Sequence, residues 1–460
     1  MGTRTAIWGR SPADPVERRL LLKLDWFILS YVCLIYWINY LDRSNLANAY
    51  VSGMQEDLKM HGNELNIVNT CFSIGYIVAI VPHNLILLKV RPRYWLTFCS
   101  MAWGILTLST YKVTSWKQLC VIRFFLAVFE GVTFAGTHLI LGSFYSEELL
   151  PFRTAVFTSS GLVGSIFSSV MAAAIHTTMD GYNGLAGWRW LFIIDFIVTV
   201  VVVIYGFVFF PDAPSRDTKK PFYLTQAEYE VAIDKRRMPK INNWNRSLIT
   251  RVFYSWKWWA FCLLWILGGE NESYATNSLF ALWLKYYDYT INDRNHLPMG
   301  VYAVGVVATL GSAIYINVAS QRRPGAYHWQ VGLLIGVFLI ISSILLLARP
   351  HSSQFVFPAH YLSGVSYAGQ TVFFGWANVV TQNDIQLRAI VLASMNMFSS
   401  AVNAWWSIIF YGATLVPEFR RGCWAMLATA ISSMIVVMLI KRLYEKDSAK
   451  LAGNPSLGKL

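Results

Sequence analysis

Apolar residues gather along the chain into twelve runs: Trp26–Leu46, Asn66–Leu88, Tyr94–Tyr111, Leu119–Leu141, Ala155–His176, Trp188–Phe210, Trp258–Leu284, Met299–Ala319, Trp329–Leu347, Val356–Val380, Ala389–Leu415 and Cys423–Leu443. Each is near the ~20 residues a helix needs to cross about 30 Å of hydrocarbon. The tenth and eleventh are the least uniform, being broken by Gly, Ser and Asn. One long polar stretch, Pro211 to Lys257, separates six runs from six. It holds PDAPS, DTKKP and then AEYEVAIDKRRMPK, which reads as a short amphipathic helix at the membrane surface.

Composition agrees with this pattern. Of 460 residues 55% are hydrophobic and 14% charged, with a mean hydropathy of +0.43. Soluble domains carry about 25% charged residues, so the chain is an all-α membrane protein. A net charge of +13 would suggest nucleic acid in a soluble chain. Here 27 of the 38 Lys and Arg fall on the side of the chain ends and the central loop, and 10 on the other. That asymmetry predicts cytoplasmic termini and no nucleic-acid partner. Residues 1–23 are polar, basic and interrupted by Pro12 and Pro15, unlike a cleavable signal, so the first run reads as a retained span. Cys33, Cys71, Cys99, Cys120, Cys262 and Cys423 sit in or beside apolar runs without CxxC or Cys/His spacing, which reads as packing. No metal or cofactor is expected. The layout resembles that of the major facilitator fold, and the expected architecture is twelve transmembrane helices in two six-helix halves. The expected division is an N-terminal tail (1–25), a first bundle (26–210), a central loop (211–257), a second bundle (258–443) and a C-terminal tail (444–460).

Candidate chemistry lies in the charges inside the runs. A charge at mid-membrane costs about 2.5–3.5 kcal/mol on insertion scales, so these residues must face protein or water. Run four reads RFFLAVFEGVTFAGTH and carries Arg123, Glu130 and His138. Arg123 and Glu130 are seven apart, hence within about 20° on the helix surface and about 10.5 Å along it. They suit either a coupling pair or an ion pair that only pins helices; His138 suits either a proton site or a hydrogen-bonded core histidine. Run one ends INYLDRSNLANAY, placing Tyr40, Asp42 and Arg43 toward its far end, either in a shared polar layer with run four or at the headgroups. Run seven contains GGENESYATNS. Its Gly268–Gly269 pair suggests a break in the helix beside Glu270, Asn271 and Glu272, as transporters use at binding sites. Gln370, Asn378, Asn396 and Asn403 in runs ten and eleven suit hydrogen bonds to substrate or between helices.

The order of Arg123, Glu130, Gly-Val-Thr and His138 resembles helix four of the anion:cation symporter family of the major facilitator superfamily. Asp42-Arg43 with Asn45 resembles the family's helix-one motif, and GLAGWRWLFIID (184–195) the start of its sixth helix. The stretches YWINYLDR, SGMQEDLKM, GLVGS, FALWL, GVSYAGQTVFFGWAN and IVLASMNMFSSAVNAWWSI are similar to the fungal allantoate-permease branch, and within it to plasma-membrane pantothenate transporters. The basic motif between helices two and three is reduced to KVRPR, and the C-terminal tail is short.

The resemblance implies residue roles. Arg43, with Tyr40, would bind the substrate carboxylate, offering a planar fork that stays charged. Asp42 and Glu130 would carry protons, with Arg123 as the partner of Glu130 and His138 tied to proton coupling. Glu270, Asn271, Gln370, Asn378, Asn396 and Asn403 would hold the rest of the substrate. The implied activity is plasma-membrane proton symport of a small organic anion by a monomer, pantothenate first, with nicotinate, biotin, allantoate or dipeptides and sulfur amino acids as alternatives. A non-transporting nutrient sensor is the rival class. No Ser/His/Asp constellation, metal-ligand spacing or phosphate loop points to an enzyme.

Overall fold

A computed structural model describes residues 14–87, 90–145, 150–211, 219–234, 246–322, 327–381 and 384–453. Lys89 of the basic motif, the N-terminal tail up to residue 13, much of the central loop and the last seven residues lie outside them. Helix occupies all twelve apolar runs, and no strand occurs among the described residues. The helices are α1 (Ser30–Ala49), α2 (Glu64–Leu87), α3 (Pro92–Ser109), α4 (Trp116–Glu130, resuming as Val132–Phe144), α5 (Leu150–Met179), α6 (Gly187–Phe209), α7 (Trp256–Thr276), α8 (Met299–Arg322), α9 (His328–Ala348), α10 (Ser353–Ser363 and Ala368–Val380 around a 3-10 turn), α11 (Ile385–Phe410) and α12 (Arg420–Gly453).

Seven described helices are by themselves long and apolar enough to cross a membrane; they carry runs one, four, five, six, eight, nine and twelve. Their outward faces are apolar, as at Val201 on α6, Val307 on α8 and Ile435 on α12, which are 62%, 73% and 64% exposed. Soluble monomers rarely show so much exposed apolar surface, whereas lipid accepts it.

Packing reveals a repeat that the eye misses in the sequence. In the first half α1 packs on α5 and α6, α2 on α4, and α3 on α4 and α6. Six helices later α7 packs on α11 and α12, α8 on α10, and α9 on α10 and α12. The halves meet along two seams, α2 with α11 and α5 with α8. Small residues set these distances. A Cβ at Gly164 of α5 would collide with the Trp37 carbonyl oxygen of α1, and one at Gly364 with the Val301 carbonyl oxygen of α8.

The expected surface helix of the central loop is Gln226–Asp234. A capping box starts it. The Thr225 amide donates to Glu228 Oε2 (2.8 Å) and the Glu228 amide to Thr225 Oγ1 (3.3 Å). Glu228 also accepts from Lys23 Nζ at 2.7 Å, tying this helix to Pro15–Leu24 before α1. Burial alone would raise the Glu228 carboxyl, but the Lys23 ammonium and the Thr225 donors hold it below the ordinary value. At the other end Trp256 Nε1 donates to Asp447 on α12 (2.9 Å). The chain ends and the central loop thus share one face, the terminal face; the opposite one is the far face.

Candidate functional site

A central cavity of about 270 Å³ lies between the halves. From α1 it is lined by Tyr36, Tyr40, Arg43 and Ser44, spaced as one face of a helix. α2 adds Asn69, Phe72 and Tyr76; α7 adds Trp265, Gly269, Glu272 and Ser273; α10 adds Gln370; α11 adds Asn396 and Asn403.

Contacts between the halves bound the cavity on both sides. Toward the far face Asn66 donates to the carbonyls of Ser407 and Tyr411 (3.5 and 3.4 Å), and Thr70 to that of Ala404 (2.8 Å). Lys285 pairs with Glu56 at 2.9 Å beyond them. Toward the terminal face Tyr36 OH donates to Gln370 (3.4 Å), Thr158 and Thr371 hydroxyls meet at 2.8 Å, and the rings of Phe134 and Phe374 cross edge-on at 5.6 Å.

The ionic cluster belongs to the first half. Arg43 Nε donates to Glu130 Oε2 at 3.1 Å; Glu130 is fully buried while the Arg43 side chain is 30% exposed. Arg123 Nη1 lies 3.9 Å from Asp42 Oδ1, both groups being buried, and Thr107 donates to Asp42 Oδ2 at 2.7 Å. The pairing of Arg123 with Glu130 expected from the sequence is therefore crossed. Seven residues separate those two by about 10.5 Å of axis, beyond the three- and four-residue spacing at which helix neighbours meet, and α1 supplies the nearer partners. The Phe72 ring meets both cations, 4.9 Å from the Arg43 guanidinium carbon and 4.8 Å from that of Arg123. Tyr76 and Tyr40 stand 5.1 and 5.7 Å from Arg43. Aromatic faces stabilise desolvated cations by up to about 2 kcal/mol each. Glu130 Oε1, Asp42 Oδ1 and Arg123 Nε are buried without a hydrogen-bond partner in the protein. Such a half-satisfied polar network is suited to change its proton or ligand content.

A third buried carboxylate stands behind Asp42. Asp195 of α6 accepts from Asn45 Nδ2 at 2.7 Å, and Asn45 in turn accepts from Ser168. Asp195 lay within the sequence motif that signals the start of α6, but no site role attached to it.

The other sequence candidates divide. Tyr40, Gln370, Asn396 and Asn403 line the cavity. Gln370 donates to Tyr40 OH (3.2 Å) and Glu272 (2.8 Å), and Asn403 accepts from Ser273 (3.1 Å). Glu270 and Asn271 do not line it. Glu270 points into the second bundle, and Asn271 accepts from Thr429 of α12 at 2.7 Å. Asn378 is half-buried below the cavity on α10. His138 lies in the aromatic layer toward the terminal face, its Nδ1 2.9 Å from the Phe134 carbonyl and its ring tilted against Phe134 and Phe374 and edge-on to Phe157. The helix break expected at Gly268–Gly269 is absent. α7 runs straight through to Thr276 and turns at Ser278, with a φ of 57°. Those glycines instead admit Phe373 and Ser399 from neighbouring helices. Missed by sequence reasoning were Phe72, Tyr76 and the cavity role of Glu272. Glu272 shares its helix face with Trp265, Gly269, Ser273 and Thr276, a face that the packed neighbours of α7, not its near-uniform apolar pattern, single out.

A family model described as Major Facilitator Superfamily matches residues 32–407. The chain belongs to the Major Facilitator Superfamily. It is 54% identical over 439 residues to the pantothenate transporter FEN2 of Saccharomyces cerevisiae, covering 94% of this chain and 85% of that one. It is 42% identical over 429 residues to the pantothenate transporter liz1 of Schizosaccharomyces pombe, covering 92% and 82%. A vitamin H transporter of Saccharomyces cerevisiae is 28% identical, covering 88% and 69%. Among solved structures, a bacterial homologue of the human lysosomal transporter Spinster, inward-facing and unoccupied, aligns with a TM-score of 0.63 at 14% identity, covering 95% of this chain and 99% of that one. That likeness establishes the fold alone. The superfamily member is thus a multi-pass membrane transporter, as its sequence resemblance implied.

Proposed function

We propose that this chain takes up pantothenate across the plasma membrane by proton symport, with its termini in the cytoplasm and its two bundles, 26–210 and 258–443, alternating access as a monomer. Two relatives bearing the pantothenate name over most of their length support the substrate. The observation that carries the mechanism is Arg43, exposed to the cavity yet held by the buried carboxylate of Glu130. Substrate carboxylate and Glu130 compete for one guanidinium. Protonation of Glu130 from the far face releases Arg43, which then donates two parallel hydrogen bonds to the substrate carboxylate. Asp42 keeps Arg123 in place and offers a second proton site. Gln370, Asn396 and Asn403 hold the remainder of the molecule. Proton coupling makes this an anion:cation symporter in the strict sense.

The test is uptake of labelled pantothenate in yeast lacking its own uptake, at acidic and neutral external pH. Acid-stimulated uptake in the unmodified chain, with pH response lost in Glu130→Gln, is the expected result. Uptake indifferent to pH would end the coupling hypothesis. Nicotinate, biotin and allantoate serve as competitors; stronger inhibition by one of them would reassign the substrate.

A further inference from the structure

The second half of the cavity contains a carboxylate that no part of the mechanism above uses. Glu272 is 7% exposed and borders the cavity from α7. Its Oε1 accepts from Gln370 at 2.8 Å, while its Oε2 is buried without a hydrogen-bond partner in the protein. Among the described residues no Lys or Arg forms an ion pair with it. The same Gln370 amide donates to Tyr40 OH, and the Tyr40 ring stands 5.7 Å from the Arg43 guanidinium. The cavity is therefore bipolar: a cation from one half, a carboxylate from the other, and Tyr40 with Gln370 between them. Buried polar oxygens are costly unless donors reach them. A molecule that satisfies both ends carries an acidic group at one end and hydroxyl donors at the other.

We infer that Glu272 is a specificity-determining residue that accepts hydrogen bonds from the hydroxylated end of the substrate while Arg43 holds its carboxylate. The inference rests on the pantothenate reading and deepens it: that molecule has a carboxylate at one end, two hydroxyls at the other and an amide between. Asn396 and Asn403 line the same cavity and offer donors and acceptors suited to the amide. A hydroxyl bound to a carboxylate is among the stronger hydrogen bonds. An acid lacking the hydroxyls leaves Glu272 unmatched and is rejected beyond the mere loss of contact.

The experiment measures inhibition of labelled pantothenate uptake by pantothenate itself and by analogues lacking one or both hydroxyls. It compares the unmodified chain with Glu272→Gln and Glu272→Ala. In the unmodified chain, loss of the hydroxyls weakens inhibition roughly ten- to hundredfold. In Glu272→Ala the ratio collapses toward unity; Glu272→Gln, which keeps one acceptor oxygen, falls between. A purely structural role lowers the amount of transporter and leaves the ratio alone, so an unchanged ratio overturns the inference. Should Glu272→Ala not reach the membrane, the ratio in Glu272→Gln decides. Absence of pantothenate uptake by the unmodified chain overturns the substrate reading and this inference together; uptake with an unchanged ratio overturns only the latter.

Discussion

Glu130→Gln removes a charge and keeps the shape of a side chain that touches nothing outside the protein. In the folded chain its carboxylate holds Arg43 at 3.1 Å, fully buried itself while Arg43 is 30% exposed. A hydrogen bond between charged groups contributes about 1.5–3 kcal/mol net. The bare attraction at ~4 Å and an effective dielectric of ~20 is about 4 kcal/mol, an upper bound. At about 1.4 kcal/mol per factor of ten, the lower range makes Arg43 roughly ten- to hundredfold less available to an incoming carboxylate while Glu130 is ionised. Calorimetric titration of pantothenate into purified protein, at acidic and at neutral pH, reads this directly. The unmodified protein should bind more weakly as the pH rises and Glu130 gives up its proton and reclaims Arg43. The variant should bind tightly at both, by about the factor just derived at neutral pH. Binding by the variant that retained the original pH dependence would refute the competition, as would binding weaker than the original at acidic pH.

Arg43→Lys keeps the charge but loses the planar fork and the aromatic stacking; uptake kinetics should show a rise in KM of at least about tenfold. An unaltered KM would remove Arg43 from the site. Gly164→Leu drives a side chain into the Trp37 carbonyl, and overpacking of that kind costs about 1–3 kcal/mol or more. Thermal melting in detergent should fall well below that of Gly311→Leu, whose surroundings are open. The Lys23–Glu228 contact stabilises while Glu228 is ionised. Because its folded value is depressed, that contribution is present above the ordinary carboxylate range and lost as pH falls through the folded value. Glu228→Gln should melt lower than the unmodified chain at neutral pH and match it in acid, by about 1 kcal/mol or less given that Lys23 is 32% exposed.

Apolar run length carried the helices, and the chain-wide placement of Lys and Arg carried the expected orientation, because both are one-dimensional properties. The rotation of a helix is not. α7 is apolar around most of its circumference, so Glu270 and Glu272, about 200° apart on the helix, look equivalent until neighbours are in place. Only then does Ser273 meet Asn403 and Asn271 meet Thr429, which decides the face. The same limit explains the crossed ion pairs. Arg123 and Glu130 share a helix and invite pairing on paper, whereas α1 brings Asp42 and Arg43 closer in space. Phe72 and Tyr76 look like any aromatic core residues, and their contacts with the arginines depend on where α2 stands relative to both α1 and α4.

Phe72 sits on the same rigid rod as Asn66 and Thr70, fewer than two turns away. Those two fasten the α2–α11 seam, while the Phe72 ring is in contact with both guanidinium groups. A tilt of α2 against α1 and α4 that loosens the seam also shifts Phe72 against both arginines, whereas movement of the whole first bundle leaves those ring contacts in place. One short stretch of a single helix thus carries both the far-face seam and the ring contacts to the two buried charges.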